Sequence, residues 1–93
     1  MEPISRQLHL ARKAKHLTQQ ELGTRLGWAQ GRISAIETGR LDPRLTSIVQ
    51  MGRLLDQEVV LVPRSLLPTI QTLISGKEDE PLWSAGNDEA PPL

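Results

Sequence analysis

Residues 17–39 read LTQQELGTRLGWAQGRISAIETG, and this stretch decides the fold. Thr18 and Glu21 have the spacing of a capping box, in which the threonine oxygen accepts from a helix amide and the glutamate bonds back to the backbone. Gly27 suits the left-handed position that ends a helix. The stretch therefore predicts one helix between Thr18 and Gly27, a tight turn, and a second helix over residues 30–38.

Apolar residues at a helical period flank this helix pair on both sides. Residues 4–15 predict a preceding helix, and residues 45–55 predict a following one. In the pair itself, Ile33 and Ile36 are expected to face inward. The apolar positions that give the flanking segments their helical period are Ile4, Leu8, Ala11, Ala14, Leu45, Ile48, Met51, Leu54 and Leu55.

The apolar period changes after residue 56. Residues 58–63 read EVVLVP, a β-branched run bounded by proline that is typical of a strand. Because a single strand has nothing to pair with, the simplest partner is the same strand of a second copy across a two-fold axis. An extended segment packed on the fourth helix is the alternative. The residues of the expected homodimer interface are Val59, Val60, Leu61 and Val62.

The rest of the chain divides into a further helix and an acidic tail. Residues 66–75 predict a fifth, amphipathic helix that tolerates Pro68 in its first turn and is closed by Gly76. Residues 77–93 hold one basic and five acidic residues and few apolar ones, so we expect them to be disordered. The predicted organisation is a helix-turn-helix domain over residues 1–56, a dimerisation strand and extra helix over 57–76, and the tail.

The charge of the chain is uneven along its length. The 11 basic and 11 acidic residues cancel, which taken alone argues against a nucleic-acid-binding protein. Residues 5–53, however, hold nine basic and three acidic residues, a net charge of +6, whereas residues 77–93 carry −4. The zero is therefore an average of a basic helical body, which suits phosphates, and an acidic tail.

Several classes of function find no support in the sequence. The chain has no cysteine, and it shows no nucleophile–base arrangement, glycine-rich phosphate loop or carboxylate cluster, so we expect no enzyme, cofactor or small-molecule site. His9 and His16 lie about 10 Å apart along a helix, too far for one metal ion, and are interpreted as solvated surface. No long apolar run or signal peptide is present, which favours a cytoplasmic protein without membrane contact.

The helix pair resembles the Cro/C1-type (XRE) DNA-binding domain of phage repressors and antitoxins. The matching residues are LTQQEL at 17–22, Leu26-Gly27, the pattern IS-x-IE-x-G at 33–39, and Pro43. The resemblance implies a mostly α, four- to five-helix domain, here with one short C-terminal strand pairing across a homodimer. It also implies that the second helix of the pair enters the major groove of double-stranded DNA, and that a dimer reads a palindromic operator.

The resemblance also assigns roles to single residues. Gln30 is the best candidate for reading a base, because glutamine pairs bidentately with adenine, and Gln19 is expected on a phosphate. Arg32 is left open between guanine and phosphate. Arg12 and Glu37 match a structural ion pair of the family. The positions expected to contact DNA are Gln19, Ala29, Gln30, Gly31, Arg32, Ser34 and Arg40.

Four residues depart from the family pattern, and one of them, Ala35, cannot read a base by hydrogen bonding. Ala29 stands where a serine or threonine commonly caps the recognition helix, which costs about 1 kcal/mol of helix stability. Gly31 lies inside that helix and costs about 1 kcal/mol relative to alanine. Trp28 replaces an aliphatic residue and is interpreted as packing in the turn.

A strand directly after the fourth helix resembles the arrangement of HipB-type antitoxins, which repress their own operon and bind a HipA-like kinase toxin. The sequence is therefore interpreted as a dimeric transcriptional repressor and as the antitoxin of such an operon. A free-standing or phage-type regulator and a protein-interaction module are the alternatives. In the tail, Leu82 and Trp83 could dock on a partner, and a tail without a role is equally compatible with them.

Overall fold

The computed structural model describes residues 3–79, which form five α-helices and one short 3-10 helix. The chain divides into a first unit that ends at Val60 and a second that begins at Leu61. The first unit holds the first four helices and the second holds the rest. In chain order the elements are α1 (Ile4–Ala14), α2 (Gln19–Leu26), α3 (Gln30–Glu37), α4 (Leu45–Leu54), the 3-10 helix (Arg64–Leu66) and α5 (Leu67–Asp79).

One apolar core holds the first unit together. Every helix from α1 to α4 contributes to it, and Ile33 of α3 is fully buried. Burying one such side chain contributes about 1.5–3 kcal/mol, so α3 is held mainly by its inward face. The core residues are Leu8, Leu17, Leu22, Ile33, Ile36, Met51 and Leu55.

The ends of α2 confirm the predictions made from the sequence. The Glu21 amide donates to Thr18 Oγ1 at 3.0 Å, and the Thr18 amide donates to Glu21 Oε1 at 2.8 Å, which completes the capping box. At the other end Gly27 adopts φ +77°, the left-handed conformation that glycine accommodates best. Hence α2 begins and ends where its local sequence dictates.

The turn between α2 and α3 packs directly on α2. The Trp28 amide donates to the Gly23 carbonyl at 2.8 Å. A Cβ atom at Gly23 would lie 2.6 Å from the Trp28 carbonyl oxygen, closer than such atoms approach. Glycine at position 23 therefore lets the turn approach α2 and sets where α3 begins.

The predicted strand is not formed within residues 3–79. Residues 57–63 carry neither helix nor strand, and the backbone amides of residues 58–62 donate to no backbone carbonyl of the described chain. Val60 is 67% exposed, so the alternative of close packing on α4 does not hold for this residue. A strand between two chains requires the second chain, so that pairing stays a prediction.

The fifth helix extends further than the sequence predicts. We expected Gly76 to close it, but α5 continues to Asp79. A glycine inside a helix lowers helix stability by about 1 kcal/mol without stopping the helix, so Gly76 alone was a weak signal. The expected disorder of residues 77–93 stays a prediction, and the tail beyond residue 79, with Leu82 and Trp83, lies outside the described residues. Among the helices described, none is long and apolar enough to cross a membrane.

Candidate nucleic-acid interface

The first turn of α3 is exposed, while the helix is anchored from its opposite face. Gln30, Gly31 and Arg32 are exposed, and Ser34 is half-buried. As the sequence indicates, Ala29 precedes the helix and its side chain caps no amide. We call Gln30, Gly31, Arg32 and Ser34 the α3 surface.

On one side of the α3 surface, Gln30 is held by a chain of hydrogen bonds that leads into the domain. Gln30 Nε2 donates to Gln19 Oε1 at 2.7 Å, and Gln19 Nε2 donates to Glu37 Oε1 at 3.2 Å. Gln19 is the first residue of α2, and Glu37 is the last residue of α3. The two glutamines therefore lie together where α2 begins beside α3.

Glu37 lies at the inner end of this chain in an ion pair with Arg12 of α1. Arg12 Nε donates to Glu37 Oε2 at 2.7 Å and Nη2 donates to Oε1 at 3.0 Å, and both residues are buried. Arg12 Nη1 donates further to the Leu17 carbonyl. Burial raises the pKa of Glu37, but hydrogen bonds from Arg12, His9 and Gln19 outweigh it and hold the pKa below its usual value. The carboxylate is therefore ionised at neutral pH.

His9 also contacts Glu37, so its interpretation as solvated surface is wrong. Its Nδ1 lies 2.9 Å from Glu37 Oε1, and its side chain is 31% exposed. His9 precedes Arg12 by three residues and shares its helix face, which the sequence spacing could have shown. What the spacing could not show is the carboxylate, which comes from 28 residues further along the chain. The described residues contain no His, Asp and Glu cluster that could hold a metal ion.

On the other side of the α3 surface, Arg32 is held by Trp28 and Ser47. The Arg32 guanidinium lies over the indole ring, 4.0 Å from the ring centroid, in the geometry of a cation–π contact. Its Nη2 donates to the hydroxyl of Ser47, a buried residue in the first turn of α4, at 2.9 Å. The sequence missed both supporting roles, because packing in the turn explains Trp28 without reference to Arg32.

The remaining predicted residues lie at other points of the same domain. Arg40 follows Gly39, which adopts φ +79°, and is exposed in the loop after α3, where its Nε donates to Thr38 Oγ1 at 3.1 Å. The Ser34 carbonyl accepts from the Thr38 hydroxyl at 2.9 Å. In the structure, Gln19 and Gln30 are therefore in contact. Arg32 instead contacts Ser47 of α4, and Arg40 lies beyond the end of α3.

Besides Arg12, the basic residues Lys15 and Arg53 also have acidic partners within the domain. Lys15 Nζ lies 2.7 Å from Asp56 Oδ2, and Arg53 Nε lies 3.2 Å from Glu58 Oε2. Both pairs are solvent-exposed and therefore contribute little to stability. Their acidic partners offset part of the basic charge of α1 and α4, whereas Arg32 and Arg40 bind only neutral groups in the contacts given above.

The chain shows clear similarity to known proteins in this same region. A family model described as a helix-turn-helix domain matches residues 4–64, more than half of the chain. A Sinorhizobium fredii protein described as an uncharacterized HTH-type transcriptional regulator, y4dL, is 44% identical over 73 residues. That match covers 78% of this chain but 37% of the relative, so the chain spans little more than a third of the relative's length. No solved structure matches the chain.

The family match runs from the first residue of α1 into the 3-10 helix and so includes α2, the turn and α3. The residues that carried the resemblance in the sequence lie in that range and, apart from Pro43, belong to the helix pair and its adjoining turns. The resemblance to the HipB-type antitoxins is not confirmed by these matches. The chain belongs to the XRE-like helix-turn-helix family.

Proposed function

We propose that the chain is a DNA-binding transcriptional regulator that places α3 in the major groove of double-stranded DNA. The observation that carries the proposal is the exposed first turn of α3, with Gln30 hydrogen-bonded to Gln19 at the start of α2. In a helix-turn-helix protein, the N-terminal residues of the second helix reach base edges while the first helix crosses the backbone. The name of the Sinorhizobium fredii relative, a transcriptional regulator, supports the proposal.

Each polar residue of this surface has a role that fits its position. Gln30 reads a base, and adenine is the base whose donor and acceptor match a glutamine amide. Gln19 and Ser34 contact phosphates, and Arg40 holds a further phosphate from the loop after α3. Arg32 uses one of its donors on Ser47 and keeps others for a phosphate or for guanine.

A protein-interaction module is the competing class, and two observations favour DNA over it. The first is the charge of residues 5–53, which is +6 by count and suits a polyanion. The second is that the exposed side chains in the first turn of α3, those of Gln30 and Arg32, are polar. Protein interfaces usually have an apolar or aromatic centre, which this surface lacks.

The test is a footprint on the DNA upstream of the protein's own gene, taken over a range of salt concentrations. We expect a protected site whose affinity falls steeply as salt rises, because bound phosphates release counterions. A footprint that protects no sequence in preference to others would contradict a sequence-specific regulator. Binding that does not change with salt would contradict phosphate contacts.

We further propose that the chain acts as a homodimer on a palindromic site. The support is the exposed apolar segment after α4, which we call the 59–62 segment. Val60 and Leu61 are 67% and 101% exposed, and the segment has no backbone hydrogen bonds to the described residues. A second copy could supply both the missing hydrogen bonds and the missing apolar contacts.

An antitoxin that represses its own operon is the finer function that we favour. The position of the 59–62 segment directly after α4 supports it, as does its resemblance to HipB-type antitoxins with HipA-like kinase partners. A free-standing or phage-type regulator is the alternative, and the name of the relative is compatible with either. Co-expression with the product of the adjacent gene decides between them. We expect a stable complex if that product is kinase-like, and a neighbour that is not kinase-like or does not bind would contradict the antitoxin role.

A further inference from the structure

In each hydrogen bond between Glu37 and Gln30 the donor and the acceptor are fixed, and the Glu37 carboxylate determines which is which. An ionised carboxylate has only acceptors. Glu37 Oε1 takes hydrogen bonds from Arg12 Nη2, from His9 Nδ1 and from Gln19 Nε2, at 3.0, 2.9 and 3.2 Å. Every group around this oxygen must therefore turn a donor toward it.

This requirement sets the orientation of the Gln19 amide. If the Gln19 amide were reversed, its oxygen would face Glu37 Oε1 at hydrogen-bond distance, with two acceptors opposed. The amide therefore points its nitrogen inward, which leaves its oxygen for Gln30. Gln30 Nε2 in turn donates to that oxygen at 2.7 Å. The same argument excludes the reversed Gln30 amide, because its oxygen would face the Gln19 oxygen.

Gln30 is thereby left with a defined pair of groups for a ligand. One of its two N–H bonds points to Gln19, and its oxygen and second N–H remain. Adenine presents an N6 donor and an N7 acceptor in the major groove, which match that pair, whereas guanine presents acceptors at both O6 and N7. If guanine replaced adenine, the Gln30 oxygen would face guanine O6, and two acceptors would be opposed.

We propose that Glu37 is a positioning residue, which through Gln19 fixes the direction of the Gln30 amide and so makes the protein select adenine over guanine. The inference rests on the proposed DNA-binding function and adds to it the cause of the base preference. In this arrangement the contact between α1 and α3 does more than stabilise the domain. His9 and Arg12 hold the carboxylate, and the carboxylate determines which atoms Gln30 presents.

Two substitutions at Gln19 test the direction of these hydrogen bonds without changing a residue of the apolar core. Gln19→Met removes both hydrogen bonds at a similar side-chain length. Gln19→Lys replaces the amide by a group that only donates, so it can still reach Glu37 but would draw the Gln30 oxygen inward and turn the Gln30 N–H groups outward. Glu37 itself is unsuited to the test, because replacing it breaks the buried ion pair with Arg12.

The experiment selects bound duplexes from a library with a randomised 20-base-pair core and counts bases at each position. The wild-type chain, the two Gln19 variants and Gln30→Ala are compared at one salt concentration, and thermal unfolding confirms that each variant is folded. The position read by Gln30 is the one at which Gln30→Ala loses its preference. Adenine-to-guanine ratios are compared at that position, since the added charge of Gln19→Lys raises affinity for every sequence.

We expect the wild-type chain to favour adenine by roughly tenfold or more at that position. We expect Gln19→Met to bring the ratio close to one and Gln19→Lys to invert it toward guanine. If both variants keep the wild-type ratio, the positioning role of Glu37 is wrong while the proposed function stands. If the wild-type chain selects no sequence at all, the proposed function fails and the inference fails with it.

Discussion

The two long polar side chains at the start of α3 are both held by residues behind them. Gln30 is bonded to Gln19, and Arg32 lies on Trp28 and donates to Ser47. A side chain that is already ordered loses less conformational entropy when it binds a ligand. For the DNA contacts proposed for Gln30 and Arg32, the residues that hold these side chains would therefore lower the entropic cost of binding.

The carboxylate of Glu37 makes the stability of the domain depend on pH. Its pKa is lower in the folded chain, where burial raises it but hydrogen bonds from Arg12, His9 and Gln19 outweigh that effect, than in the unfolded chain, where it has the ordinary glutamate value of 4.5. Its contribution is therefore complete above that value and is lost as the pH falls through the lower, folded-state pKa. We expect the free energy of unfolding, measured with urea, to fall below about pH 4.

The Glu37→Gln variant gives the matching comparison. It should be less stable than the wild type by about 3 kcal/mol or more at pH 7, because Arg12 loses its buried partner. It should also lose less stability than the wild type between pH 5 and pH 3. An equal loss in both chains would show that Glu37 is not the titrating group.

Gly23 is the residue on which the approach of the turn to α2 depends. Since a Cβ atom there would meet the Trp28 carbonyl oxygen at 2.6 Å, Gly23→Ala must displace the backbone of the turn. We expect a loss of about 1–3 kcal/mol in the free energy of unfolding, typical of overpacking. An unchanged or higher unfolding temperature would mean that the turn does not pack on α2 in this way.

At the scale of the element, α3 is a helix with weak local signals that is stabilised by its packing. It begins at Gln30, after Ala29, whose side chain provides no cap, and it contains Gly31 in its first turn. Its inner face buries Ile33 and Ile36, and Glu37 at its end is paired with α1. Tertiary contacts therefore supply what the local sequence of α3 lacks.

Gly31→Ala should stabilise the domain, whereas Gly27→Ala should destabilise it. A Cβ atom meets nothing within 4 Å at either position, so the two variants differ in backbone conformation rather than in available space. At Gly31 alanine gains about 1 kcal/mol of helix propensity, while at Gly27, with φ +77°, it loses about 1 kcal/mol or more. Thermal unfolding of the pair checks this, and shifts of the same sign would contradict it.

Elements with local signals could be predicted from the sequence, and elements that depend on distant residues could not. The capping box of Thr18 and Glu21 and the left-handed Gly27 specify α2 from nearby residues. By contrast, the predicted end of α5 was wrong. Glycine can adopt helical backbone angles as well as the left-handed ones that end a helix, so Gly76 alone does not mark the end. The β-branched run of the 59–62 segment gave a strand signal, but a strand also needs a hydrogen-bonding partner.

The candidate site shows the same division. The family pattern pointed to Gln19, Gln30 and Arg32, and the structure places these residues at the start of α2 and in the first turn of α3. The family pattern could not show that His9 contacts Glu37 or that Trp28 lies under Arg32, because each contact depends on how two segments pack. The supporting residues around the site therefore required the structure.

At the scale of the whole molecule, the 59–62 segment is the proposed contact between two copies. Replacing Val60 and Val62 together by glutamate should convert the dimer to a monomer in sedimentation, because alternate residues of a strand share one face. Leu73→Glu, which changes a half-exposed residue of α5, is the control and should leave the dimer intact. A dimer that persists in the double variant would locate the interface elsewhere.

The zero net charge of the chain conceals the property that matters for binding. Residues 5–53 carry +6, and residues 77–93 carry −4. The basic part includes α2, α3 and most of α1 and α4, and it lies within the family match at residues 4–64. Charge therefore has to be assessed by region of the chain, and by region it agrees with a nucleic-acid-binding domain.

We propose that Gln30 reads a base from the first turn of α3. The most direct test is to measure the affinities of the wild type and of Gln30→Ala for duplexes that differ from the footprinted site by one base pair at a time. We predict that Gln30→Ala loses discrimination at one or two base pairs of each half-site, keeps it elsewhere and unfolds at a similar temperature. An unchanged base preference at every position would contradict base reading by Gln30.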